Sequence, residues 1–348
     1  MADRLVPSAY GSINAALTAA LTAAGNGDHV RIQAGATYGG EDLSGFSGLS
    51  NITITNETGS YVTVTLTSGT VLRPGAGWTI DGSSDGMKIR GGSTGYACGH
   101  IFNKTGVEYI DCDLETTSAD EAMLIEQQLG SNASCTLTRC TIDGYYSASP
   151  GSHGCVRVSA IFTGTASLAA SGCLFRGGAG GVVVAAKQGT VSVLRSVSDG
   201  CYAGLSVESG TACDINVDLM DVYSGTYGVW YRPGAANKPA ILLQRMTMDV
   251  SAEAIKATTV HSNANAVVRG CWGDDMERFD SDAGTWDYNG YVSMVGTSGG
   301  NDVTTLADPG FTDMVGHDYT LAIGSTLIDA GYEIIQNHRS FITLRQFV

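Results

Sequence analysis

The pattern of apolar and polar positions near the N-terminus predicts one amphipathic helix. In residues 11–25, GSINAALTAALTAAG, the apolar positions recur at helical spacing, at Ile13, Ala16, Leu17, Ala20, Leu21 and Ala24. A stripe at i, i+3, i+4 and i+7 is typical of a helix that buries one face. Ser12 is placed to cap its first turn and Gly25 to end it. The next residues, DHVRIQAG, predict a short strand.

From about residue 98 the apolar pattern repeats. Seven segments open with a mostly small residue that precedes an apolar one, and these openings are His100, Ala122, Cys155, Gly181, Gly204, Gly228 and Ala254. A second strand follows each, and aligning these strands gives the column Cys112, Cys140, Cys173, Val197, Met220, Met246 and Cys271. Both columns advance by 22 to 33 residues and share the same long step. Short strands with this period predict a coil whose turns stack on one another and share a continuous core.

The cysteines of the second column are expected inside this coil. Equivalent residues of neighbouring turns stack about 4.8 Å apart, and the other members of the column are Val and Met. A buried free cysteine behaves as a small apolar side chain, so we expect this set to be reduced core residues. An occasional disulfide and a chemical role are the alternatives. Metal binding is disfavoured because the chain has no CxxC pair.

Composition narrows the possible partners. The chain has 348 residues, 47 of them Gly and 6 Pro, which favours short strands and turns. Its formal net charge of −15 predicts no binding to nucleic acid and no attraction to anionic membranes. No apolar run is long enough for a transmembrane helix. The opening MADRLVPSAYGS does not resemble a secretion signal.

Both ends of the chain resemble pectin-lyase-like right-handed parallel β-helix proteins. After the predicted helix, the resemblance lies in Gly27, Asp28, Val30, Ile32, Ala34, Gly35 and Tyr38. Near the C-terminus it lies in Asp308, Pro309, Phe311, Asp313, Asp318, Tyr319, Leu321, Gly324, Ser325, Ile328, Asp329, Ala330 and Gly331. The resemblance implies one right-handed parallel β-helix over residues 1–348. Residues 1–40 would form the helical cap and first rung, 41–300 the rungs with loop insertions, and 301–348 the closing segment and tail.

The resemblance specifies the fold more than the function, since the superfamily includes lyases, hydrolases, phage tailspikes and non-catalytic virion or surface proteins. Its hydrolases use clustered Asp, and its lyases use Arg or Lys near Asp ligands for calcium. In this chain GSHGCVRV offers His153 and Arg157 without the partner acids. The simpler interpretation is a turn that enters the rung starting at Cys155.

Four acids are the catalytic candidates. Three positions after the second column stand Glu115, Asp143, Arg176, Gly200, Tyr223, Asp249 and Asp274. Glu115 with Asp143, and Asp249 with Asp274, would be neighbours about 5 Å apart, a separation used by retaining glycosidases. Since Asp143-Gly144 is itself a turn signal, turn residues on an acidic surface are the simpler interpretation.

The acidic stretch 273–287 raises the question of a metal. Its six acids are Asp274, Asp275, Glu277, Asp280, Asp282 and Asp287. Calcium is conceivable because carboxylate oxygens are its ligands, but the spacing does not fit an EF-hand loop. We expect a solvated insertion, and no metal and no cofactor.

The outward positions of the first strand predict an interaction surface. They run Phe102, Leu124, Arg157, Val183, Ser206, Trp230 and Lys256. An apolar strip on a face that meets water marks an interface, and Trp230, Tyr231 and Arg232 are residue types that carry binding energy. We therefore select Phe102, Trp230, Tyr231 and Arg232 as interface or glycan-binding candidates. A sugar-stacking platform and a strip covered by the chain's own loops remain open.

These observations favour a non-enzymatic structural or attachment protein on the outside of a bacteriophage particle. Capsid decoration protein and tail spike or receptor-binding protein are both open. We expect a homotrimer that is made in the host cytoplasm and contacts other virion proteins, with a host surface polysaccharide as a further partner left open. The apolar tail after Gly331 would cover the open end of the coil or dock on a neighbour. A polysaccharide depolymerase of the same fold is the alternative, and a bacterial adhesin is the third class.

Overall fold

The computed structural model is a parallel β-solenoid of about nine turns. It describes residues 2–6, 15–33, 37–91, 98–116, 121–145, 153–208, 210–232, 238–258, 265–280, 284–304, 310–313 and 318–322, with Ser325 and Leu327. One short helix, α1 (Ala16–Thr22), lies near the N-terminus. The predicted parallel β-helix with an N-terminal helix is confirmed.

The strands of the solenoid form three faces. The first face consists of β1 (Asp3–Val6), β2 (His29–Ile32), β4 (Thr53–Asn56), β6 (Thr79–Asp81), β9 (Val107–Ile110), β12 (Ala133–Thr138), β15 (Ala166–Ser171), β21 (Ile241–Gln244), β23 (Ala266–Arg269) and β25 (Thr285–Asp287). The second consists of β3 (Thr37–Glu41), β5 (Val62–Leu66), β7 (Met87–Arg90), β10 (Cys112–Glu115), β13 (Thr141–Asp143), β16 (Leu174–Arg176) and β27 (Val303–Thr304). The third consists of β8 (Gly99–Phe102), β11 (Met123–Gln127), β14 (Val156–Ala160), β17 (Gly180–Ala186) and β19 (Ala203–Val207).

Five longer strands continue around a corner from one face to another. They are β18 (Thr190–Asp199), β20 (Asp214–Tyr231), β22 (Thr247–Ala257), β24 (Trp272–Glu277) and β26 (Gly290–Val295). A separate antiparallel pair, β28 (Phe311–Asp313) and β29 (Asp318–Leu321), follows the coil. Along the strands buried and less buried residues alternate, as in β5 and β12, because successive side chains point to opposite sides of a strand. One continuous apolar core therefore fills the coil.

The corner between the first and second faces has a constant backbone conformation. On successive turns one residue there has a positive φ, and these residues are Gly86, Asp111, Arg139, Gly172, Arg195, Leu219, Arg245, Gly270 and Tyr288. A left-handed residue turns the chain sharply enough to leave one sheet and enter the next. The residue after it is the first inward position of the second face.

These inward positions form the predicted ladder, with one correction. The stacked residues are Met87, Cys112, Cys140, Cys173, Ser196, Met220, Met246, Cys271 and Asn289. Assigning Val197 to this column was wrong by one residue, because Arg195 is the left-handed residue and Ser196 follows it. The Ser196 hydroxyl is satisfied inside the core, donating to the Leu194 carbonyl and accepting from the Cys173 amide. All nine cysteines are buried and free, as predicted for the set.

Helix α1 buries the predicted stripe of Ala16, Leu17, Ala20 and Leu21, but it is shorter than residues 11–25. Ser12, the predicted cap, lies outside the described residues, and Ala15 at the helix start makes no side-chain capping bond. The carboxylate of buried Glu41 instead accepts hydrogen bonds from the amides of Leu17 and Thr18, at 3.1 and 2.8 Å. A charge that satisfies the free amides of a first turn stabilises the helix. Glu41 thereby ties the helix to the second face.

Asp28 joins the N-terminal strand to the loop after the helix. Its carboxylate accepts hydrogen bonds from the amides of Ala2 and Gly25, at 2.7 and 3.0 Å, and pairs with Arg4 at 3.0 Å. The hydrogen bond from the Gly25 amide, then that from the Ala2 amide, and then the Arg4 side chain lower the pKa of Asp28 to about 2. The ionised form is the one that the folded chain holds.

We predict that Asp28 makes the stability of the fold acid-sensitive. The folded pKa of Asp28 is below its unfolded value near 3.9, so its contribution is present above pH 4 and is lost as pH falls toward 2. Melting temperatures of the wild type and Asp28→Asn should differ most above pH 4 and converge toward pH 2. Asn26→Ala, which removes an exposed, non-titrating side chain two residues away that accepts the Ser50 amide, should give a nearly constant difference. A constant difference for Asp28→Asn would contradict the prediction.

The described part of the closing segment packs on the outside of the second face. Phe311, Leu321 and Leu327 form a small apolar cluster with Trp272, and Tyr223 and Val303 pack against it. The Phe311 and Trp272 rings meet edge to face at 5.2 Å. The predicted covering of the coil's open end by the tail after Gly331 lies outside the described residues.

Candidate functional site

The catalytic candidates fall in one outward row of the second face. The register places side by side Arg90, Glu115, Asp143, Arg176, Asp199, Tyr223 and Asp249, and Asp274 follows because Met248 pairs with Gly273. Asp199 takes the position predicted for Gly200, since Arg195 shifts the register of this turn by one residue. Each predicted pair, Glu115 with Asp143 and Asp249 with Asp274, thus occupies adjacent turns.

Glu115 and Asp143 are held by cations. Glu115 forms ion pairs with Lys88 and with Arg90, whose Nε lies 3.0 Å from the carboxylate. Asp143 accepts two hydrogen bonds from the Arg176 guanidinium, at 2.6 and 2.9 Å. A bidentate arginine favours the ionised carboxylate. Both carboxylates are engaged by cations, which does not fit the protonated acid that glycoside hydrolysis requires.

Asp249 and Asp274 have a different environment. The pKa of Asp274 is raised, first by partial desolvation and then by the negative charges of Asp249 and Asp275. Because Asp274 is exposed to solvent, we expect water to screen much of this rise in its pKa. Asp249 lines a surface pocket, described below. This pair therefore contains a carboxyl group whose pKa is raised.

The outward row of the third face is close to the prediction. Leu124, Arg157, Val183, Ser206, Trp230 and Lys256 are in register. Phe102 is displaced by two residues, since His100 pairs with Leu124 and Phe102 with Glu126. The placement of Tyr231 on this surface was wrong. Tyr231 alternates inward from Trp230, is 1% exposed and stacks on Phe279 at 4.1 Å.

The row is not one continuous apolar strip. Leu124, Val183 and Ser206 are buried although they point outward. Part of the cover is the chain's own backbone: a Cβ added at Gly154, before β14, would lie 2.6 Å from Val183 Cγ2, and one at Gly180, the first residue of β17, would lie 2.7 Å from it. Self-cover therefore applies to the middle of the row. Phe102 and Trp230, toward its two ends, stay accessible and belong to separate surfaces.

Three rings gather around Trp230. The Trp230 ring centroid lies 4.9 Å from that of Tyr227 and 5.7 Å from that of Tyr202, and the two tyrosines are 5.4 Å apart. The Arg232 guanidinium lies over the Trp230 ring at 4.7 Å and forms an ion pair with Glu208, which also accepts from the Ser206 hydroxyl. The Trp230 indole nitrogen is enclosed without a hydrogen-bond partner among the described residues. Cation–π contact and ring packing fix the cluster.

A pocket of about 460 Å³ opens beside these rings. Tyr202 forms one wall, and Asp249 and the hydroxyl-bearing residues Ser224, Thr226 and Ser251 form others. The pocket lies where β20 and β22 pair irregularly, with register shifts around Gly225, and Ser224 has a left-handed backbone. Tyr202 belongs both to the pocket and to the ring cluster. We call Tyr202, Tyr227, Trp230 and Arg232, together with this pocket, the Trp230 site.

Sequence reasoning found Trp230, Arg232 and Asp249 but assigned them to separate features, and it missed both tyrosines. The available signal was that Tyr202 and Tyr227 shortly precede the openings Gly204 and Gly228 of two successive turns. Residues at the same point of neighbouring turns become neighbours in space. The left-handed Ser224 and the bulge that open the pocket have no comparable signal in the sequence.

The remaining motifs have structural roles. His153 and Arg157 both approach the buried carboxylate of Glu121, at 3.9 and 3.4 Å, which ties the turn before Cys155 to the preceding loop. In the acidic stretch, Asp280 is buried in an ion pair with Arg278, while Asp282 lies outside the described residues. Within the described ranges no cluster of three or more His, Cys, Asp or Glu is arranged to hold a metal ion. Nor does any described helix have the length and apolarity to cross a bilayer.

Comparison with known proteins gives no relative: no protein-family model, no curated protein and no solved structure matches this chain.

Proposed function

We propose that this chain is a non-enzymatic structural or attachment protein on the exterior of a bacteriophage particle, acting through the Trp230 site. A capsid decoration protein and a tail spike or receptor-binding protein both fit the proposal, with the chain assembled as a homotrimer. The fold is compatible with either role, and the resemblance of both chain ends to pectin-lyase-like β-helix proteins supports it. The observation that carries the proposal is the accessible ring cluster beside a pocket rich in hydroxyl groups.

The chemistry of the Trp230 site suits a saccharide. Partly exposed aromatic rings present apolar faces to the C–H faces of a sugar while their polar ends still reach water. The pocket adds the Asp249 carboxylate and three hydroxyl-bearing residues that can bond sugar hydroxyls, and its volume of about 460 Å³ is within the usual range for a small ligand. A surface polysaccharide of the host is therefore the ligand we propose.

The environment of Glu115 and Asp143 supports binding of a polysaccharide without cleavage. Glu115 and Asp143 are neutralised by Lys88, Arg90 and Arg176. Hydrolysis requires one protonated and one ionised carboxyl group at a fixed separation.

One observation favours a second candidate, a polysaccharide depolymerase. Asp249 lines the pocket of the Trp230 site and stands next to Asp274, whose pKa is raised. Two neighbouring carboxyl groups with different protonation tendencies are what an acid-base pair needs. The exposure of Asp274 weighs against this role, because a general acid is usually shielded from water to hold its proton.

The two candidates are separated by measuring binding and cleavage together. Purified chain is titrated with capsular, O-antigen and pectic polysaccharides, while reducing ends and the absorbance of unsaturated products are followed. We expect binding of at least one polysaccharide and no products. Trp230→Ala should weaken that binding at least about tenfold, the equivalent of 1.4 kcal/mol, because the stacking face is lost.

The matched control is Phe162→Ala, which removes an exposed ring elsewhere on the coil and should leave binding unchanged. Equal loss in both variants, or no binding of any polysaccharide, would contradict the proposal. Release of products that disappears in Asp249→Asn and Asp274→Asn, but persists in Asp143→Asn, would replace it by the depolymerase.

A further inference from the structure

A second pocket, of about 440 Å³, lies toward the N-terminal end of the coil, away from the Trp230 site. It is formed where the third face turns toward the first, after β8. Phe102, Asn103 and Lys104 come from this turn, His100 from the strand before it, and Arg73 from the preceding rung. We call it the Phe102 pocket.

The charge of the Phe102 pocket is opposite to that of the chain. The whole chain carries a net charge of −15, and most described arginines pair with an acid. Arg73 and Lys104 both line the pocket, and neither forms an ion pair with any acid of the described ranges. None of the lining residues is acidic. Two unpaired cations at one concavity of an acidic protein create a local attraction for an anion.

The nearest bonded acid does not cancel this attraction. Glu126 lies 3.0 Å from His100 Nε2 and also accepts a hydrogen bond from the Gln128 amide group. The hydrogen bond from His100 is the main reason that the pKa of Glu126 is lowered, and the charge of Arg157 contributes too. His100, Gln128 and Arg157 thus interact with the negative charge of Glu126. The positive charges of Arg73 and Lys104 are not compensated by Glu126.

The pocket also offers an apolar surface. The Phe102 side chain is 37% exposed and its ring lies 5.5 Å from the His100 ring. On the next turn, the backbone amide of Gln128 donates a hydrogen bond to the side-chain oxygen of Asn103. The residue that follows, Leu129, is 81% exposed. Leu129 also has a left-handed backbone, with φ of 58°.

We propose that the Phe102 pocket binds an anionic group, a carboxylate or a phosphate, attached to an apolar portion about the size of a ring. The anion lies between Arg73 and Lys104, which supply charge-assisted hydrogen bonds, and the apolar portion rests on Phe102. This ligand differs from the neutral hydroxyl-rich ligand of the Trp230 site, so the two proposals fail independently.

Four probes test the charge and the apolar part separately. They are 3-phenylpropanoate, phenyl phosphate, neutral 3-phenylpropan-1-ol and inorganic phosphate, each titrated into the intact chain by ligand-observed NMR. We expect one of the two phenyl anions to bind at least about tenfold more tightly than the alcohol, and which of them does so identifies the anion. Arg73→Gln and Lys104→Gln should each weaken binding of that phenyl anion about tenfold, the usual effect of losing a hydrogen bond to a charged group.

Phe102→Ala should weaken the phenyl anion without changing the binding of inorganic phosphate. Lys187→Gln, an exposed lysine outside the pocket, is the control and should have no effect. The proposal is overturned if the alcohol binds as tightly as the anions, if no probe binds, or if Lys187→Gln weakens binding as much as Arg73→Gln and Lys104→Gln do.

Discussion

Cys140→Asp should prevent the chain from folding, whereas Cys140→Val should fold. Cys140 is 1% exposed and stacks between Cys112 and Cys173 in the ladder. The site disfavours charge, since burial raises the pKa of the Cys140 thiol well above its usual value. Holding a carboxyl group there costs about 4–7 kcal/mol at neutral pH, comparable to the whole stability of many domains. Valine keeps a similar apolar volume.

The measurement is the yield of soluble chain together with its thermal unfolding followed by circular dichroism. Thr138→Asp is the matched control, because it places the same carboxyl group on the same turn but at an outward position, and it should fold.

The cysteines of the same buried ladder should resist a thiol reagent under native conditions. Rapid labelling of Cys112, Cys140, Cys173 and Cys271 would refute it.

Asp280→Ala should lower the free energy of unfolding by about 3–5 kcal/mol, the usual cost of removing one partner of a buried ion pair. Arg278 and Asp280 are both buried, with Nε and Oδ1 2.6 Å apart. Asp280 also accepts the Gly284 amide, and Arg278 donates to the carbonyls of Gly284 and Thr297. The pair thus holds Gly284 and Thr297 against Asp280 and Arg278, and loss of the acid leaves a buried guanidinium without its counter-charge.

Chemical denaturation of three variants checks this explanation. Asp143→Ala removes a partly exposed acid with a similar bidentate arginine and should cost only about 0–1 kcal/mol, because water screens surface pairs. The double variant Arg278→Met/Asp280→Leu should recover part of the loss, since it removes both charges. An Asp280→Ala effect no larger than that of Asp143→Ala would show that burial of the pair does not matter.

One turn was placed out of register. Val197 and Gly200 were each placed one residue late, because the inward residue after the left-handed Arg195 is the polar Ser196, while the apolar Val197 matches the rest of the column. Other corners without glycine, at Asp111 and Arg139, are followed by apolar cysteines, and these were assigned correctly. Non-glycine residues in this conformation are uncommon, and a one-residue slip exchanges the two faces of a strand.

Alternation within a strand explains the next group of differences. Trp230 and Arg232 point outward, and Tyr231 between them must point into the core. The sequence grouped the three because they are adjacent. The two-residue period of β-strands would have separated Tyr231 at that stage, and it places the residue against Phe279.

The sequence by itself determined the solenoid, its period and the identity of its core. These properties follow from local patterns, since a strand's apolar alternation is set by adjacent residues and repeats with each turn. The buried face of helix α1 and the cysteine ladder belong to the same group.

Only the tertiary structure decided how the turns are aligned and which outward residues remain accessible. Glu41 reaches the helix start from 23 and 24 residues away, Tyr202 meets Trp230 from the preceding turn, and the turn at Gly154 covers Val183. Such contacts depend on the length of each turn and the path of each loop. The physical reason is that stacking joins residues about one coil apart, and one added residue changes every partner along the face.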